Sequence, residues 1–154
     1  MRQVLLVLMA ALAIAGCAAR AARDPAPVVS VASSGQPTLG GLRDSDWRFV
    51  EIAGMPVPPG VTATLRLRDG RASGKAGCNA YGASWEMSAD GHTTFGVAVA
   101  TKMACLAPAG AMQVERQVFN ALQHAARLHR DGETLVLLDA SDKPLAKLAR
   151  SGEP

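Results

Sequence analysis

Asp-Gly steps stand at 69–70, 90–91 and 131–132, each between two short stretches rich in strand-forming residues. Asp-Gly suits the tight turn of a β-hairpin, where both central residues take positive φ. Between Thr62 and Arg68 the residues alternate strictly. Ala63, Leu65 and Leu67 would face a core, with Thr64, Arg66 and Arg68 facing solvent, as in a half-buried antiparallel strand. Further short strands are expected over Trp47–Ile52, Arg71–Lys75, around Trp85 and Met87, over His92–Val99, at Leu128–Arg130, over Leu135–Leu138 and over Pro144–Ala149. Gly54 to Gly60, with its prolines, reads as a loop, and Asp139–Asp142 as a turn.

One stretch has a different period. Ala111, Val114, Val118, Leu122 and Ala125 recur at spacings of three and four, and Phe119 widens the stripe. That pattern predicts one amphipathic helix near 108–126, with Pro108 near its first turn. No strand–helix–strand alternation is present, so a parallel nucleotide-binding sheet is not expected. The fold class expected is α+β, mainly antiparallel β. It would be a curled sheet or small open barrel of about seven or eight short strands, its open side or end covered by the helix.

The first seventeen residues carry a separate signal. Met1-Arg2 precedes an apolar run from Val4 to Ile14, which ends in Ile14-Ala15-Gly16-Cys17. The run is too short to span a bilayer, which takes about 20 residues. It suits the apolar region of an export signal peptide over 1–16. Small residues followed directly by Cys17 resemble the lipobox of bacterial lipoproteins, in which the cysteine thiol is acylated before cleavage. Buried methylenes contribute roughly 0.8 kcal/mol each, so two or three acyl chains would hold the chain on a membrane. The alternative is ordinary secretion with a chance cysteine. Ala18, where Asp would favour inner-membrane retention in enterobacteria, suggests the outer membrane, facing the periplasm. Residues 17–41, rich in Ala, Pro, Ser and Gly, read as the lipidated cysteine and a flexible tether. The folded domain is expected over 42–150, with 151–154 as a tail.

Net charge is +3, no basic run exceeds two neighbours, and only 4% of residues are aromatic. Nucleic acid is therefore not an expected partner. The partners expected are the membrane, through lipid on Cys17, and an envelope protein.

Two clusters remain: Gly77-Cys78-Asn79-Ala80-Tyr81-Gly82, and Thr101-Lys102-Met103-Ala104-Cys105 with Met112 and Glu115 behind it. Together with Trp47 and the Leu135-x-Leu137 strand, they resemble the META domain, also called the HslJ family, over about 42–150. The resemblance implies a compact β-rich domain with a helix, often exported and lipid-anchored, similar to folds of secretin pilot lipoproteins. It also implies links to stress tolerance, antibiotic resistance or virulence, with no common catalytic activity.

With Cys17 given to lipid, Cys78 and Cys105 remain. In an oxidising periplasm they are expected to form a disulfide, worth about 3–4 kcal/mol in the chain-entropy model. Two buried free thiols, or a reactive pair, are the alternatives. Gly77 and Gly82 could bracket a bend, with Asn79 bonding its own turn. Alternatively, Asn79, Tyr81 and Lys102 form a surface recognition patch. Thr101 reads as a strand-end hydrogen bonder and Met103 as core. Glu115 reads as capping the helix, pairing with Arg116 or Lys102, or facing solvent. His92, His124 and His129 have no metal-ligand spacing, and Ser73 and Ser84 lack a nucleophile elbow. The chain is thus expected to be non-enzymatic, without cofactor or metal. A small apolar-ligand carrier, or an inhibitor of a hydrolase such as lysozyme, are the alternative functions.

Overall fold

The computed structural model describes residues 39–152. The expected leader, Cys17, nearly all of the tether and the last two residues of the tail lie outside them. After a single helical turn, α1 (Leu39–Leu42), the chain enters β1 (Ser45–Ile52). It then forms β2 (Met55–Pro56), β3 (Thr64–Arg68), β4 (Arg71–Ala76), β5 (Asn79–Met87), β6 (Thr93–Phe95) and β7 (Val99–Ala100). The long helix α2 (Ala111–His124) follows, and then β8 (Arg127–Asp131), β9 (Thr134–Leu138) and β10 (Pro144–Arg150).

The strands run in the order β6-β5-β4-β3-β1-β10-β9-β8, and every pairing is antiparallel. β1 joins two meanders, pairing with β3 on one side and with β10 on the other. The ends of this path meet. His92 bridges Arg127, and the Thr93 N–H donates to the Ala126 carbonyl at 2.9 Å. The sheet therefore curls into a nearly closed barrel, which removes most of its exposed edge. This is the mainly antiparallel, helix-bearing fold expected from the alternation and the turns.

The core follows the predicted parity. Ala63, Leu65 and Leu67 are buried while Arg66 and Arg68 are exposed. Trp47, Phe49, Leu135, Leu137 and Leu148 fill the interior from β1, β9 and β10. Buried indole N–H groups need partners: Trp47 Nε1 donates to Ser45 Oγ at 2.8 Å, and Trp85 Nε1 to Thr93 Oγ1 at 2.9 Å. Helix α2 lays Ala111, Val114, Val118, Ala121 and Leu122 onto this core, touching β1, β4, β6, β9 and β10.

Three local expectations change. The 54–60 loop contains strand β2, because Ala53 and Gly54 both take positive φ (50° and 76°) and close a two-residue hairpin on β1. The 92–99 strand splits into β6 and β7, both paired to β5. The Gly96 N–H still donates to the Ser84 carbonyl at 3.0 Å, and a Cβ on Gly96 would lie 2.2 Å from Ser84 Oγ, so only glycine fits where β6 ends. Pro108 lies outside the helix, which starts at Ala111 behind the N-cap Gly110 at φ 86°.

Candidate functional site

The two motif clusters meet at one end of the barrel, where β5 begins and the 101–110 segment returns toward α2. Gly77 makes the turn into β5 with φ 64°. A Cβ there would lie 2.2 Å from the Ala111 carbonyl oxygen, so the first residue of the helix needs glycine beneath it. Cys78 follows, buried, and is bonded to Cys105 with a Cα–Cα distance of 5.7 Å. The cysteines form the disulfide, rather than two free thiols.

Asn79 is the centre of the arrangement and is 1% exposed. Its Oδ1 accepts from Thr101 Oγ1 at 2.7 Å and from the Met103 N–H at 2.8 Å. Its Nδ2 donates to the Met103 carbonyl at 3.1 Å and to Glu115 Oε2 at 2.8 Å. The Asn79 backbone N–H donates to the same Glu115 oxygen at 3.1 Å. Every hydrogen-bonding position of the amide side chain is thus filled. The amide pairs with Met103 through both N–H and C=O, as a neighbouring strand would. Just before it, β7 pairs with β5 at Tyr81–Ala100, and the Thr101 N–H reaches the Ala80 carbonyl at 3.1 Å. Asn79 therefore prolongs by side chain a ladder that the backbone has stopped making.

Tyr81 points inward two residues along, 5% exposed. Its hydroxyl donates to the Thr64 carbonyl at 2.9 Å, and its ring meets Phe119 edge-on at 5.8 Å. Burial pushes the Tyr81 phenol well above its ordinary value, so it is a neutral donor at any physiological pH.

These positions correct several expectations. Cys78–Gly82 is not a bend: the turn is confined to Gly77 and Cys78, and Asn79–Gly82 belong to β5. Asn79 bonds residues 22 to 36 positions away, not its own turn. Asn79 and Tyr81 do not join Lys102 in a surface patch, because strand parity turns both side chains into the core while Lys102 is exposed. Met103 is not core. Its backbone is held by Asn79, and its side chain is 57% exposed. Thr101 does bond at the end of β7, and Glu115, which has no ion pair among the described residues, holds Asn79 rather than capping the helix. Glu115 is the residue whose role spacing did not reveal, and a half-buried acid behind the apolar stripe was its signal. His92 lies 3.9 Å from Asp90, His124 Nδ1 lies 2.9 Å from the Asn120 carbonyl, and His129 is exposed on β8.

The fold and its motif cluster define a small helix-plugged antiparallel barrel, clipped at one end by a disulfide and a buried amide. The chain belongs to the META domain family, whose model matches residues 40–152. A search of curated proteins finds no match. Among solved structures, the chain is similar to an NMR structure of a protein from Burkholderia xenovorans. Identity is 28%, with 84% of this chain and 100% of that one covered, at a TM-score of 0.59. A second NMR structure, 18% identical over 73% of this chain and 94% of that one, shares the fold at a TM-score of 0.59.

Proposed function

We propose that the chain is a non-enzymatic envelope lipoprotein, anchored through Cys17, whose META domain is a binding module. It meets another envelope component with the segment between β6 and α2. One observation carries this reading. Asn79, Thr101 and the two cysteines fasten a segment whose large apolar side chains face outward. Asn79, Thr101, Glu115 and the Cys78–Cys105 bond hold its backbone. Val97, Val99, Met103 and Leu106 on it are 92%, 75%, 57% and 98% exposed. Among the described residues Met55 is the other exposed large apolar side chain. Apolar side chains gathered on one rigid segment favour an interaction site over scattered surface.

A carrier would hold its ligand in the mouth of the barrel, and Trp47, Leu65, Leu137 and Val118 fill the interior behind it. The binding-module reading requires no such space. The stress tolerance associated with the family would then follow from contacts that keep the envelope intact.

The test is photo-crosslinking in cells from probes at Lys102 and Leu106, with a control probe on the exposed His129. An adduct specific to the segment supports a binding module. No adduct from either position, with the protein present at normal level, would sink it.

A further inference from the structure

The segment borders a barrel face whose charge the reading above leaves unused. Strand register aligns Arg66 with Ser73, Ser73 with Gly82 and Gly82 with Val99. One outward row thus runs from a cation, across small residues, to an exposed aliphatic side chain. In the next row Arg68 pairs with Arg71. On the other side Lys75 pairs with Ala80, whose carbonyl holds Thr101, so the exposed Lys102 lies at the same border. A shallow groove of about 780 Å³ on this face is lined by Arg66, Arg68 and Lys75 together with Asp46, Ser73 and Ala80, and Arg71 and Lys102 lie outside its lining. The acid that lines it is Asp46, bonded to Arg66 at 2.5 Å and to Arg68 at 3.0 Å; Asp69 lies in the turn between Arg68 and Arg71, and Glu86 lies near the far end of β5. Cations outnumber them, and Arg71, Lys75 and Lys102 have no acid partner among the described ion pairs.

We propose that this cationic face and the apolar segment at its edge form one surface that docks on an anionic lipid bilayer. Lipid phosphates lie over Arg66, Arg71 and Lys75, while Val99, Met103 and Leu106 enter between the headgroups. The proposal rests on the binding-module reading and names its partner. Basic side chains beside exposed aliphatic ones are the two attractions an interfacial protein combines. A nucleic acid would call for aromatic platforms, and the side chains here are Val, Met and Leu. An anchor at Cys17 would keep the face within tether reach of the bilayer, so weak local affinity is enough.

The test uses the full chain carrying Leu106→Trp, a change at a fully exposed side chain. Trp47 and Trp85 are buried and give a constant background. Vesicles contain brominated lipid, either phosphatidylcholine alone or phosphatidylcholine and phosphatidylglycerol in equal parts. The expected result is quenching of the Trp at 106 in the anionic vesicles only, reversed by high salt. Arg66→Glu with Arg71→Glu should weaken that quenching about tenfold or more. Near-ultraviolet circular dichroism checks that this variant is folded, and the salt effect on the unreversed protein stands without it. Equal quenching in both vesicles, or none in anionic vesicles to which the chain is bound by acyl chains on Cys17, overturns the proposal. A discrete protein adduct from Leu106 in cells without such quenching would keep the binding module and replace the lipid by a protein. No adduct of any kind in cells would remove the binding module itself.

Discussion

Two regions of the barrel are held together by different means. The β8–β9–β10 meander pairs backbone to backbone along its length, and Leu135, Leu137 and Leu148 bury one face of it. Its turns are local: Gly132 takes φ 55°, and Asp139 Oδ1 accepts from Ser141 N–H at 2.8 Å and Lys143 N–H at 3.0 Å. The segment from Val99 to Gly110 makes one brief ladder and then none. It is tied by a disulfide across 27 residues and by an amide that reaches both it and the helix. Where the backbone pairs with itself, alternation and a turn residue are enough. Where it does not, particular side chains must substitute, and those side chains are the motif.

The largest expected effect comes from removing the covalent tie. Cys78→Ala with Cys105→Ala should lower stability by about 3.5 kcal/mol in the chain-entropy model. Denaturant unfolding of both proteins measures it. A loss below about 1 kcal/mol would mean that the amide clip alone restrains the segment. Reduction should also open the bond after Lys102 to trypsin, since the exposed lysine is held on both sides only while the clip is whole.

Asn79→Ala comes next, at about 2–4 kcal/mol, because it removes the partners of Met103, Thr101 and Glu115 together. Hydrogen exchange at the Met103 amide should accelerate strongly, while the β8–β9 amides should lose protection only as far as global stability falls. Equal acceleration in both places would show that the two regions unfold as one unit and share their restraint.

The contrast also explains what could be read in the sequence. Alternation placed Leu65 and Leu67 inside, and the spacing of Val114, Val118 and Leu122 gave the helix its buried face. Both are patterns within a single element. Asn79 pairs with Met103 and Glu115, residues 24 and 36 positions away, and no periodicity records such a contact. Its inward direction was accessible in principle, since Asn79, Tyr81, Ala83 and Trp85 alternate along one strand. The glycines on either side read instead as a bend, and hid that strand. The cationic face was only partly within reach, because Arg71 and Lys75 share one face of β4 but Arg66 joins them through inter-strand register. The split between β6 and β7 follows Gly96, whose close approach to Ser84 is set by tertiary packing.

Tyr81 supplies a smaller effect, read through pH. It is the chain's one tyrosine, so phenolate absorbance reports it alone. Burial raises its folded-state pKa, whereas the unfolded chain begins to lose the proton near pH 10. The folded state therefore binds more protons above that pH. Stability is complete below about pH 10 and falls above it by up to about 1.4 kcal/mol per pH unit. Phenolate absorbance should rise with unfolding rather than before it, and Tyr81→Phe should flatten this part of the stability profile. A simple titration near pH 10 in the folded protein would mean that the hydroxyl meets water and that the motif end is looser than the meander.

The smallest effect tests the other side of the contrast. Asp139, like Asn79, uses a side-chain oxygen to hold two backbone N–H groups. Its partners, however, are two and four residues away and belong to exposed Ser141 and Lys143. Water can take over those N–H groups when the carboxylate is removed, so no buried donor is orphaned. Asp139→Ala should therefore cost about 1 kcal/mol. Its exchange changes should stay within 139–144, leaving the Met103 amide as protected as before. A loss matching that of Asn79→Ala would place the difference between the regions elsewhere than in the reach of their side-chain bonds. The filled leucine face behind β9 and β10, which survives the substitution, makes the small and local outcome the expected one.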